Sequence, residues 1–266
     1  MTNVANLQDV EAPILGDEEI QTLMRAGVHI GHVRSKTHPA MRPFIFGTRN
    51  NIEIIDVLKT AEYLAKAEAF LQSVTARGGM ALWVGTKPSA RHAVEAAARE
   101  TGMPYVANRW VGGLLTNFRV ISKRAAEMED IEKAKASGGL DKYTKHERAK
   151  IDREHDSLMK AYDGIRVMKR LPEAIIIIET VHDHLSLREA RRMKIPLVAL
   201  ADTNTDPRQI QYPVPANDDA KLSVEYMISR FAVALMEGKK EAERTSALAA
   251  AQAQTVAETL SVKTES

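Results

Sequence analysis

Five consecutive apolar residues, Ala174-Ile-Ile-Ile-Ile178, constrain the architecture of this chain more than any other stretch. Adjacent β-branched side chains favour an extended backbone. Neighbours on a strand point to opposite faces, so an apolar residue at every position needs cover on both sides. That is the environment of a central strand in a parallel sheet layered between helices. Shorter runs of the same kind are Met80-Ala-Leu-Trp-Val84, Tyr105-Val-Ala107 and Ile195-Pro-Leu-Val-Ala-Leu200, with Ile52-Glu-Ile-Ile-Asp-Val57 read as the first strand of the series. Helical patterns alternate with them at Lys59 to Thr75, Ser89 to Thr101, Leu187 to Met193 and Ala220 to Glu237. Strand alternating with helix implies right-handed crossovers. The expected fold is α/β, a Rossmann- or flavodoxin-like parallel sheet with helices on both faces.

Phe118 to Arg170 interrupts the series. It has no strand signal and is dense in charge. Ile151, Leu158, Tyr162 and Ile165 keep heptad phase with His155 among them, and Ile121, Ala125, Met128 and Ile131 form a matching stripe. With Ser137-Gly-Gly139 as the turn, the segment reads as an antiparallel coiled-coil hairpin inserted at 118–170. The α/β domain is then discontinuous, 18–117 and 171–238. Residues 1–17 lack a usable period and read as a flexible arm, with Asp17 capping a short helix that carries Ile20, Leu23, Met24 and Val28. Residues 239–266, free of aromatics, read as a tail that is partly helical or disordered.

With 266 residues, 44 % of them hydrophobic, the chain has enough apolar surface for a proper core. Without cysteine, disulfides and thiolate metal sites are excluded. No apolar run approaches membrane-spanning length and no secretory signal is evident, so the expectation is a soluble, cytoplasmic protein. Aromatics at 5 % are too few for a stacking platform. A net charge of +2 decides little, but the first residues are acidic and positive charge must gather elsewhere. It gathers in the stretch after Gly27-Val-His-Ile-Gly-His32, where Arg34, Lys36, His38, Arg42 and Arg49 lie among Pro39, Pro43 and Gly47, which deny it regular structure.

Several motifs tempt. His29-Ile-Gly-His32 spells a class I aminoacyl-tRNA synthetase tetrapeptide, but it follows a helix and lacks a lysine-rich partner loop. Gly85-Thr-Lys87 is no Walker loop, since Met80 and Pro88 stand where glycine and Ser or Thr are needed. Asp202-Thr-Asn-Thr-Asp206 fails as a calcium loop at Pro207 and Pro213. No GxGxxG follows a strand. Asp202 and Glu179 nevertheless sit just past the ends of expected parallel strands, where open sheets place ligand crevices. With His32, His182, His184 and Asp206 nearby in sequence, one divalent cation, Mg or Zn, has candidate ligands, although none is required. Capping and hydrogen bonding are the plainer use of these residues. No nucleophile–base pair can be assembled. Asn108-Arg-Trp-Val-Gly-Gly-Leu-Leu-Thr-Asn117 reads as a strand-to-helix elbow, its two glycines permitting positive φ and Thr116 or Asn117 capping the next helix.

The wording of the motifs carries more. Gly27-Val-His-Ile-Gly-His32, Pro43-Phe-Ile-Phe-Gly47, Ile54-Ile-Asp56, Val84-Gly-Thr-Lys87, Arg109 to Asn117, Leu171-Pro172, Asp202-Thr-Asn204 with Asp206-Pro207, and Pro215-Ala-Asn-Asp-Asp-Ala220 occur in order. Together they closely resemble the bacterial small-subunit ribosomal protein number two family, from about Leu23 to Ala234. Departures are modest: His38 replaces a usual Asn, Ala216 a Gly, Glu179 an Asp, Asp163 a Gly. Ala216 would be strained if its turn needed positive φ. The resemblance implies a non-catalytic component of the 30S subunit, placed between head and body. It would touch 16S ribosomal RNA and support the docking of ribosomal protein number one, with no membrane and no small-molecule substrate. The cations then expected at RNA phosphates are Arg34, Lys36, Arg42, Arg49, Lys87, Arg91, Arg109, Lys123 and Arg124. Two other classes fit the bare fold: a nucleotide-using Rossmann-type enzyme, and a coiled-coil adaptor for proteins.

Overall fold

In this computed structural model the described residues are 17–140 and 142–264, with side chains described for 18–140 and 142–247. The arm expected over the first residues lies, but for Asp17, outside the described residues. Helix α1 (Asp17–Arg25) is followed by β1 (Ile30–Val33), β2 (Ile45–Arg49) and β3 (Ile52–Ile55). These three strands form their own antiparallel sheet in the order β1-β3-β2. Two sequence expectations are corrected here. Ile52 to Val57 does not open the parallel series, and the cationic stretch is not irregular. It makes two short 3-10 turns, Arg34–Lys36 and Pro39–Phe44, and then a strand. The missed signal is Asn50-Asn51. Their φ angles of 49° and 64° give the two-residue, positive-φ turn whose twist suits a hairpin.

Next come α2 (Val57–Ala76), β4 (Ala81–Val84), α3 (Pro88–Thr101), β5 (Tyr105–Val106), α4 (Phe118–Ala136), α5 (Lys145–Tyr162), β6 (Ala174–Ile177), α6 (His184–Met193), β7 (Leu197–Ala201), β8 (Tyr212–Pro215) and α7 (Lys221–Thr264). The five later strands are parallel, in the order β5-β4-β6-β7-β8, a flavodoxin-like arrangement whose switch point lies between β4 and β6. All of β6 is fully buried, as the isoleucine run demanded. Its residues alternate between two cores. Ala174 and Ile176 join Trp83, Leu200 and residues of α2, α3 and α7 on one side. Ile175 and Ile177 join Leu82, Ala199, Trp110 and Leu187 on the other. Each such isoleucine contributes ~1.5–3 kcal/mol by leaving water. Strand β8 was not expected, because Pro213 and Pro215 obscure it. It lies at the sheet edge, where a missing ladder donor costs least.

Helix α7 runs well past Glu237 and packs closely on α2. Gly238 makes that approach possible: a Cβ there would collide with Thr75 Oγ1 and the Gln72 carbonyl. Helix α1 is fixed through buried Leu23 and through Arg230 of α7, whose guanidinium reaches Glu19 at 2.6 Å and Glu68 at 2.7 Å.

Helices α4 and α5 are joined by ion pairs whose numbering runs in opposite directions. Lys135 meets Asp152 at 2.8 Å, and Glu132 meets His155 at 3.4 Å. Arg166 adds a bond to Glu132 at 3.1 Å. Side by side they are therefore antiparallel. Gly138, at φ 71°, follows the end of α4, and a Thr144–Glu147 capping box starts α5. Ile121 at the root belongs to the main core, whereas α5 buries no residue. Gly164 lets the returning chain press on β5, since a Cβ there would strike the Tyr105 carbonyl.

Candidate functional site

The carboxyl ends of the parallel strands converge on a charged crevice. Lys87 follows β4, Glu179 follows β6, Asp202 follows β7, and Asp218 and Asp219 follow β8. Lys87 Nζ pairs with Glu179 at 2.9 Å and also with Asp219. His32, from β1, brings Nδ1 within 3.4 Å of Asp202 and Nε2 within 3.6 Å of Asp219. Asp218 is 1 % exposed, and among the described residues neither of its carboxylate oxygens has a hydrogen-bond partner. Oxygens of Glu179, Asp218 and Asp219 lie within 4.8 Å of one another.

The electrostatics follow. Burial pushes the Asp218 carboxyl well above the carboxylate range, and the charges of Asp202, Glu179 and Asp219 push it further. The hydrogen bond to Asp202 raises His32 against the opposing effect of burial. Burial works against the Lys87 ammonium, yet Asp219 and Glu179 outweigh it and hold its pKa above the ordinary lysine value.

Of the residues singled out for a cation, His32, Glu179 and Asp202 do meet here. His182 and His184 are exposed on the entry to α6, and Asp206 binds Arg208 at 2.8 Å. Asp218 and Asp219 join them, although nothing in the spacing of the Pro215 to Ala220 motif shows that these two face β4 and β6. Ala216 is unstrained, since the non-glycine residues with positive φ among those described are Asn50, Asn51 and Lys194. Gly85 serves packing: a Cβ there would lie 2.8 Å from Val94 and 3.2 Å from Ala90 of α3.

The elbow is organised by a residue that the sequence did not reveal. Glu189 of α6 accepts from Trp110 Nε1 at 3.1 Å, from the backbone N–H groups of Gly113, Leu115 and Thr116 at 2.7, 3.0 and 3.1 Å, and from Thr116 Oγ1 at 3.1 Å. Thr116 therefore turns to Glu189, and Asn117 makes no side-chain cap, contrary to the capping expected of them. Gly113 supplies the positive φ, 88°.

The expected RNA-facing cations divide into two groups. Arg34, Lys36, Arg42 and Arg49 are exposed around the small sheet, Arg109 is exposed on the elbow, and Lys123 and Arg124 are exposed at the root of α4, where Arg124 pairs with Glu127 at 2.7 Å. Lys87 and Arg91 are committed inside the protein. Arg91 donates to the carbonyls of Ala107 at 2.9 Å and Thr86 at 3.3 Å, locking the end of β4 to that of β5.

The fold is Rossmann-like, and of the cations expected at RNA the exposed ones sit on the small sheet, the elbow and the root of a helix pair. Among the described residues no helix is long and apolar enough to cross a membrane. The chain belongs to the family described as Ribosomal protein S2, whose model matches residues 23–238. Relatives named small ribosomal subunit protein uS2 agree along most of their length. That of Rhodopirellula baltica is 40 % identical over 233 residues, covering 88 % of this chain and 90 % of the relative. That of Corynebacterium urealyticum is 43 % identical over 232 residues, covering 86 % of each. That of Nitratiruptor is 41 % identical over 225 residues, covering 85 % and 84 %.

Proposed function

We propose that this chain holds its place in the small ribosomal subunit by gripping folded 16S ribosomal RNA between head and body, and that it supports docking of ribosomal protein number one. Membership of the family makes it a structural, non-enzymatic constituent of the cytoplasmic small subunit. The finer reading rests chiefly on one observation: of the cations expected at RNA, those on the small sheet, the elbow and the α4 root are exposed. Structured RNA offers phosphates and shape rather than base edges, so such contacts position the protein. The antiparallel α4–α5 pair, read as a projecting coiled-coil arm, extends the grip: a helix of about 20 residues reaches ~30 Å. Lys87 and Arg91, already committed, are left out of this surface.

For the protein partner, the outward side of the small sheet is suited. Phe46 is 81 % exposed, and Ile30, across β3 from β2, is 42 % exposed. Exposed apolar side chains such as these offer a protein partner points of anchorage.

In the crevice we place one divalent cation, Mg or Zn. The two unpartnered oxygens of buried Asp218 support it, with Glu179, Asp219 and Asp202 as further oxygen donors and His32 as a nitrogen donor. Such an ion would neutralise the acidic cluster and tie β1 to the sheet; no reaction is assigned to it.

Replacing Arg34, Lys36 and Arg42 together with Ala tests the RNA surface. Incorporation into subunits should weaken, and the slope of log affinity against log salt should shrink by about one per lost contact. An unchanged slope removes this rim from the RNA contact.

A further inference from the structure

Beside the small sheet lies a groove of about 380 Å³. The exposed guanidinium groups of Arg34 and Arg42 line it, and Glu53 lines it as well. Glu53 is 5 % exposed, and its Oε2 accepts from Thr48 Oγ1 at 2.8 Å. Among the described residues neither arginine forms an ion pair with this carboxylate. Thr37, also lining the groove, has a buried hydroxyl without a partner among those residues. The groove thus holds an acceptor-rich, largely unspent carboxylate beside two free cations.

That combination selects its ligand. A bare phosphate is drawn by the arginines and repelled by Glu53. An ammonium group meets the reverse. The complement is a molecule anionic at one end and N–H-donating at the other, which in RNA is an unpaired nucleotide with its base inward and its phosphates outside. An ionised carboxylate has about four lone-pair sites, and Thr48 occupies one of them. Of the four bases, guanine alone presents two adjacent N–H donors on one edge, N1–H and N2–H, which a carboxylate accepts side by side. Unpaired bases in RNA are read on these edges. The geometry points to this groove as a site for an unpaired guanosine, its base edge on Glu53 and its phosphates on Arg34 and Arg42. The inference rests on the RNA reading above and adds a base preference to a surface otherwise read as sequence-blind.

Fluorescence anisotropy of the full chain with labelled AAGAA, AAIAA and AAAAA oligoribonucleotides tests it, because inosine lacks only the N2 amino group. The guanosine oligomer should bind on the order of tenfold more tightly than the adenosine one, with inosine between them. Glu53→Gln, nearly isosteric and still able to accept from Thr48, should erase that preference, while AAAAA binding should rise a few-fold because the charge that repels phosphate is gone. Arg34→Ala with Arg42→Ala should weaken all three. Equal affinity for the three oligomers, no binding of any, or a preference that survives Glu53→Gln overturns the site. If subunit incorporation meanwhile stays intact and salt-sensitive, the ribosomal RNA reading stands without it; if incorporation itself fails, that reading falls first.

Discussion

Glu189→Ala should lower stability by ~3–5 kcal/mol, because several donors of the elbow lose one shared acceptor and each buried unpaired donor costs ~1–3 kcal/mol, less where water can replace the acceptor. In a chain of this length that corresponds to a fall in melting temperature of about 10 °C. Glu189→Gln keeps one acceptor oxygen but turns an NH2 toward donors, so it should recover only part of the loss. A pH series gives a second signature. Burial alone would raise the Glu189 carboxyl, but the bonds from Trp110, Gly113, Thr116 and Leu115 outweigh it and hold it below its ordinary 4.5. A depressed carboxyl contributes fully above its unfolded value and is lost as pH falls through the folded one. The wild type should therefore lose its advantage over Glu189→Ala as the medium is acidified below about 4.5. A melting temperature within a degree of wild type at neutral pH would show that the elbow holds itself. Because the elbow carries Arg109 and leads into α4, the same variant should also enter subunits poorly.

Asp218→Asn should act in the opposite direction. Its carboxyl, raised by burial and then by Asp202, Glu179 and Asp219, favours the protonated form in the fold. Such a group stabilises below its unfolded pKa and loses that contribution as pH rises toward the folded one. In chelator-treated protein at pH 7, Asp218→Asn should raise the melting temperature by a few degrees, with the difference shrinking toward pH 4. Added Zn or Mg should stabilise the wild type, by mass action on the folded state, and the variant much less. A wild type indifferent to both metals would remove the cation from the crevice. A variant less stable than wild type in chelator would show that Asp218 is held by contacts other than those described.

Residues buried on both faces spelled out the sheet. Ala174 to Ile178 and Leu197 to Leu200 announce parallel strands because so short a run with no polar face suits a strand covered on both sides. Local pattern failed where partners were distant or the signal was conformational. Asn50-Asn51 concealed a hairpin that needs no glycine. Pro213 and Pro215 hid β8, which survives because it is an edge. The site is legible in part: His32, Glu179 and Asp202 stand out as candidates in the sequence, and topology does bring them together. Asp218 and Asp219 were invisible as members because a loop after β8 faces β4 only once the strand order is known. Glu189 could not be found at all. A glutamate between Arg188 and Ala190 on an amphipathic helix looks like solvated surface, and its donors lie more than seventy residues earlier in the chain. Charge counting found the cations but could not separate exposed Arg34 from Lys87, whose partners come from two other loops.

The most direct measurement is co-sedimentation of the full chain with small subunits stripped of their own copy, at moderate salt and then across a salt series. The account predicts stoichiometric binding to the subunit that falls steeply as salt rises, with no turnover of ATP or NAD. A chain that remains free of the particles while consuming either nucleotide would contradict it.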